Sequence, residues 1–203
     1  TSPITIQINT VEQYYVTVNS QIPVYAIING ENESLNSGWY NANTTIEVEN
    51  LPYYITNDTR YIISSVSPSA NVTVNSPIII QINVEKQFFV TLVSPYPVYA
   101  LINGENGTLK SGWYNAGTSI SIENITNYPE KGVRFFILSV EPSMNITVSS
   151  PTSIEIKMAV QYYVTVNSKI PVYALINGVN ETLNSGWYSA NTTIYIENVT
   201  YYP

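Results

Sequence analysis

The chain has 203 residues, a net charge of −7, 44% hydrophobic but only 10% charged residues, and neither His nor Cys. That charge and the lack of a Lys/Arg cluster argue against nucleic acid or an anionic membrane as a partner, and without His and Cys it cannot build disulfides, an ordinary zinc site or a Ser-His-Asp or Cys-His centre. Its wealth of Tyr, Ile, Val, Asn, Ser and Thr is unlike disorder, no apolar run reaches bilayer-crossing length, and a signal peptide or anchor is expected only outside this segment.

In chain order, Ile4, Ile6 and Ile8 alternate with polar residues and predict a half-buried strand. Val16 and Val18 do the same within Tyr14–Ser20. Val24–Ile28 is apolar on both faces, suits a central strand, and ends in Asn29-Gly30, a dipeptide that accepts the positive φ of a hairpin turn. Leu35–Tyr40 is the predicted return strand, with Leu35 and Trp39 on one side. After the turn at Asn41-Ala42-Asn43, where the second copy has Gly117, Thr44–Glu49 places Ile46 and Val48 inward and Glu47 and Glu49 outward. Arg60–Val66 and Asn71–Val74 supply two more strands around Ser67-Pro68-Ser69, and Ile78, Ile80, Ile82 and Val84 alternate in the last.

This pattern then repeats. Trp39, Trp113 and Trp187 stand 74 residues apart, each inside SGWY, and PVYAIING at Pro23–Gly30 returns as PVYALING at Pro97–Gly104 and Pro171–Gly178. The expected organisation is residues 1–13 as the last strand of a preceding repeat, complete repeats at 14–87 and 88–161, and the first half of another at 162–203. About seven short strands per copy and no helical period predict all-β architecture: tandem antiparallel immunoglobulin-like sandwiches of 74 residues, end to end. A β-grasp module is the alternative, and it needs a helix. Both ends fall inside a copy, so the expectation is a window of a longer array, or else a subunit whose open ends are completed by neighbours through strand addition. Glu85-Lys86-Gln87 leaves hardly any linker, which favours a stiff rod.

With YYVTVNS at Tyr14–Ser20, SGWYNAGTSI at Ser111–Ile120, RFFILSV at Arg134–Val140 and SPTSIEI at Ser150–Ile156, the module resembles the divergent B-repeat type of large secreted surface proteins. Its Asn/Tyr/Ile-rich wording is also similar to cell-surface and thermopsin-associated repeats of thermoacidophilic archaea. The second Trp usual after the Arg-aromatic strand is absent. The resemblance implies an extracellular or cell-surface stalk, spacer or adhesive array.

Ten Asn-x-Ser/Thr triplets are acceptors for N-glycans in that location: Asn32, Asn43, Asn57, Asn71, Asn106, Asn124, Asn145, Asn180, Asn191 and Asn198. Composition alone supplies roughly half that many, and Asn32, Asn106 and Asn180 are equivalent positions beside the hairpin turn. Glycans there also shield strand edges from lateral pairing. Catalytic residues, cofactor sites and metal sites are not expected: Asp58 is the single Asp, and Glu47 becomes Ser121 and Tyr195 in the other copies, so Glu47 and Glu49 read as a solvated face. Asn29 and Glu31 offer oxygens for calcium at the turn, though Val179 replaces the Glu in the third copy. The recurrence of Glu49, Glu123 and Glu197 beside the two arginines, Arg60 and Arg134, predicts a structural Arg-Glu pair. The three tryptophans are assigned to the sandwich cores, while Tyr14, Tyr15, Tyr25, Tyr40, Tyr53 and Tyr54 could line a sugar-binding surface.

The expected function is therefore structural: a glycosylated extracellular filament, stalk or surface array whose partners are further copies of the repeat. Its scarce charge suits an acidic habitat. The alternatives are an adhesin module binding surface glycans and an accessory repeat region of a secreted thermopsin-like protease.

Overall fold

The computed structural model describes residues 3–196, and these contain strands and no helix. The chain is all-β, as the alternation predicts, and the helix of the β-grasp alternative is not found among the described residues. Two compact units are formed: Thr1–Phe89 with Trp113–Gly117 and Val148–Pro151, and Val90–Gly112 with Thr118–Thr147 and Thr152–Pro203.

In the first unit the strands are β1 (Gln13–Asn19), β2 (Tyr25–Ile28), β3 (Glu31–Ser34), β4 (Gly38–Asn41), β5 (Thr45–Val48), β6 (Tyr53–Thr56), β7 (Thr59–Ser67), β8 (Asn71–Thr73) and the greater part of β9 (Ile78–Val93). One sheet has the order β3-β2-β5-β8. Facing it, β1 lies between β4 and β9, and β9 continues to β7 and β6. Alternation decides what lies between the sheets. Val16, Ala26, Ile46, Ile80 and Ile82 are at most 2% exposed, and Val24, Val48 and Leu35 join them in the core. Each fully buried side chain of this kind contributes about 1.5–3 kcal/mol over its exposed state.

The hairpin between β2 and β3 closes as its sequence predicts. Asn29 and Gly30 both take positive φ, 51° and 91°, the conformation that matches the twist of two-residue hairpins. The Asn29 side chain then reaches β5, where its Oδ1 accepts from the Thr45 backbone N–H at 3.0 Å. At the second turn Asn43 and Asn191 adopt positive φ where the second copy has Gly117, also positive.

The second unit repeats these elements as β10 (Val98–Ile102), β11 (Glu105–Leu109), β12 (Gly112–Asn115), β13 (Ser119–Ile122), β14 (Asn127–Glu130), β15 (Val133–Glu141), β16 (Asn145–Thr147) and β17 (Thr152–Val164). They are followed by β18 (Tyr173–Ile176), β19 (Val179–Thr182), β20 (Gly186–Ser189) and β21 (Ile194–Ile196). The sheet β11-β10-β13-β16 answers β3-β2-β5-β8, and Val90, Val98, Ala100, Leu109, Ile120, Ile122, Ile154 and Ile156 are buried at positions equivalent to the first core. β12 is divided: its Trp113–Asn115 belongs to the first unit and pairs with β9.

Three local expectations are corrected. Pro3–Glu12 forms no strand, and Ile4, Ile6 and Ile8 are 80–87% exposed. The nearly identical run in β9 is held by β1 on one edge and β7 on the other, whereas the opening segment has neither partner. The return strand of the hairpin is Glu31–Ser34, not Leu35–Tyr40. Leu35 turns into the core, its N–H bonded to the Val24 carbonyl at 2.9 Å, and Gly38–Asn41 crosses to pair with β1 in the other sheet. Leu35 and Trp39 therefore face opposite environments. Finally, Tyr53–Thr56 is a further strand, whose aromatic and β-branched residues end at the turn Asn57-Asp58.

Candidate functional site

Two surfaces recur with the repeat, and both are set by register. On the outer face of the first four-stranded sheet, Asn32 stands opposite Ile27, Ile27 opposite Glu47, and Glu47 opposite Asn71. These four form one cross-strand row that begins on edge strand β3 and ends on edge strand β8. The next copy repeats the row as Asn106, Leu101, Ser121 and Asn145. Thus two Asn-x-Ser/Thr acceptors sit at opposite edges of each complete four-stranded sheet, roughly 14 Å apart across three strand spacings. In the third copy Asn180 faces Leu175, which faces Tyr195.

All nine described acceptors are exposed: Asn32, Asn43, Asn57, Asn71, Asn106, Asn124, Asn145, Asn180 and Asn191. Asn198 lies outside the described residues. Asn32 Nδ2 donates to Glu49 Oε2 at 2.9 Å, and the single N–H left on a glycosylated amide still serves such a bond. Asn145 Oδ1 accepts from Ser121 Oγ at 2.7 Å, which orients its amide nitrogen without consuming it.

The second surface is a guanidinium socket, and it overturns two expectations together. Arg60 on β7 does not pair with Glu49. Its cross-strand partner is Gln87 on β9, whose Oε1 accepts from Arg60 Nε at 2.8 Å. Its guanidinium carbon lies 4.4 Å from the ring centroid of Trp113, and Nη1 reaches the Tyr54 hydroxyl at 3.4 Å. Gln87 is only 9% exposed, so its amide depends on these partners; its Nε2 donates to Asn115 Oδ1 at 2.8 Å, and Asn115 passes a bond to Glu85. Tyr54 and Phe89 meet Trp113 edge-on at 5.8 and 5.4 Å.

Trp113 is consequently not a core residue. It lies on β12, which pairs with β9, is only half-buried, and has the Arg60 guanidinium over its indole. A planar cation stacks well on such an indole, a contact worth about 0.5–2 kcal/mol according to its exposure. Arg134 repeats the arrangement in the second unit, with its carbon 4.6 Å from Trp187, Nε 2.7 Å from Gln161 Oε1, and Tyr163 and Tyr128 against the indole. Each arginine therefore grips the tryptophan of the following copy, 53 residues farther along.

Trp39 carries only part of this site. Tyr15 meets it at 5.5 Å, and Gln13 Nε2 donates to Asn41 Oδ1 at 2.9 Å just as Gln87 does to Asn115, but the indole is 67% exposed. The chain's two arginines lie over Trp113 and Trp187 instead.

The remaining candidates are dispersed. Tyr14 and Tyr40 pack against the core, while the exposed tyrosines are spread over three strands, Tyr15 on β1, Tyr25 on β2 and Tyr53 and Tyr54 on β6. Asn29 is tied to Thr45, and no group of three or more acidic, His or Cys side chains suited to a metal occurs among the described residues. Glu47 is exposed on the outer face, between Ile27 and Asn71 in the cross-strand row. Gln87 and Gln161 carry a single sequence signal, the recurrence of Gln13 in register ahead of YYV or FFV. No protein-family model, curated protein or solved structure gives a significant match to the chain.

Proposed function

We propose that the protein is a structural, extracellular repeat protein, N-glycosylated and part of a filament, stalk or surface array. The observation that carries this reading is the placement of two glycan acceptors per complete copy at the two edges of one sheet, on its outer face. Open sheet edges invite pairing with other chains, and a bulky polar chain on each edge strand blocks that approach. The arrangement favours association end to end, between copies of the repeat, over lateral stacking. The similarity to divergent B-repeats and to thermoacidophile surface repeats belongs to the same proposal, as does the acidic habitat.

A second reading, adhesion, has one specific support: a cleft of about 270 Å³ in the second unit, lined by Tyr96, Pro97, Tyr99, Asn127, Tyr128, Pro129 and Phe135. Aromatic faces with an amide nearby suit a sugar ring. An accessory role beside a secreted protease is the remaining alternative. Surface digestion of intact source cells with an added protease tests the leading reading. Release of peptides from this chain before cytoplasmic markers is expected, and release only after lysis would overturn it.

A further inference from the structure

The Gln13–Tyr15–Trp39 surface matches the two arginine sockets in its glutamine and aromatic side chains, and neither arginine of the chain lies over its indole. Three features define it. Trp39 is an exposed indole flanked by Tyr15 in the geometry that Phe89 gives Trp113 and Tyr163 gives Trp187. Gln13 uses its amide N–H on Asn41, as Gln87 does on Asn115, and Oε1 is the atom that takes the arginine Nε–H in both filled sites. The segment leading into it exposes Ile4, Ile6, Ile8 and Val11, while the equivalent stretch of β9 pairs with β7, the strand that delivers Arg60.

One occupant satisfies all three. A β-hairpin like β6–β7 would pair along the segment leading to Gln13 with its second strand, place an arginine between Gln13 and Trp39, and cover the indole with a tyrosine from its first strand. We infer that this surface receives the arginine-bearing hairpin of a further copy of the repeat, joined in the same chain ahead of Pro3. The inference deepens the array reading by naming the contact that would link one copy to the next. Arginine, not lysine, is the cation expected, because only its planar fork can stack on the indole while Nε–H meets the glutamine.

The test lengthens the chain by one copy, with residues 14–75 placed ahead of Ser2, so that the junction reproduces Asn75-Ser76. Trp113→Phe, Trp187→Phe and the same change in the added copy leave Trp39 as the sole indole. Acrylamide quenching of Trp39 is then expected to fall several-fold on lengthening, and to return to the level of the 203-residue chain when the arginine of the added hairpin becomes alanine. Circular dichroism confirms that the added copy is folded in each variant. Equal quenching with and without a folded extra copy would overturn the inference, as would indifference to the arginine. Protection of Trp39 in the unlengthened chain as its concentration rises would also overturn it, by assigning the occupant to a separate molecule. These outcomes leave cell-surface exposure and glycan occupancy untouched, so the socket and the array reading fail separately.

Discussion

Replacing Arg60 by alanine removes a cation and leaves a buried acceptor without its donor. The stacked contact with Trp113 at 4.4 Å is worth about 0.5–2 kcal/mol at a partly exposed site. Gln87 Oε1, on a side chain 9% exposed, loses a charged donor at 2.8 Å, which costs about 1–3 kcal/mol. Together about 1.5–5 kcal/mol is expected, and each kcal/mol lowers the unfolding temperature of a unit of this size by roughly 4–8 °C. Arg60→Lys should recover only part of it, since an ammonium keeps the charge over the indole but not the planar fork. The deciding assay is a double-mutant cycle of Arg60→Ala with Trp113→Leu, followed by urea unfolding. A coupling of about 0.5–2 kcal/mol is expected; additivity within about 0.3 kcal/mol would mean that the two side chains merely adjoin, and would refute the socket as a stabilising contact.

Other consequences follow from single positions. Ile46→Ala empties a side chain that is 1% exposed between the sheets and should cost about 2–5 kcal/mol in urea unfolding. Gly30→Val places a β-branched residue at a φ of 91° and should destabilise the unit by about 1–3 kcal/mol; a neutral result would contradict the hairpin geometry. Trp39 should be oxidised by N-bromosuccinimide before Trp113 and Trp187, with peptide masses as readout, because it alone lacks an arginine cap. Asn71→Gln should change stability by no more than about 0.5 kcal/mol in unglycosylated protein, since the side chain is exposed on an edge strand.

The sequence carried the fold wherever one periodicity acted alone. Val16, Ile46, Val48, Ile80 and Ile82 face inward as their alternation requires, and Asn29-Gly30 turns the chain as its chemistry requires. It misled where alternation continued through a change of sheet. Leu35 and Trp39 are four residues apart and would share a face of one continuous strand, but Asn36-Ser37 lies between two strands of opposite sheets. The same limit hid the socket. Arg60, Gln87 and Trp113 come together only once β9 has paired with β7 on one edge and with β12 on the other, and no local signal reports a partner 53 residues away. Glu49 drew the expected pairing because it recurs with Arg60, yet its carboxylate accepts from Asn32, in the sheet that faces the one carrying Arg60. For the opening segment, Ile4–Ile8 has the alternation of a strand without strands beside it, and alternation alone does not bury a residue.

Glycopeptide mapping of the native material tests the proposed surface role most directly. Proteolysis and mass spectrometry should find Asn32, Asn71, Asn106 and Asn145 carrying glycans, the two acceptors at opposite edges of each four-stranded sheet. Recovery of those four peptides unmodified, from chain isolated from its own cells, would contradict the account.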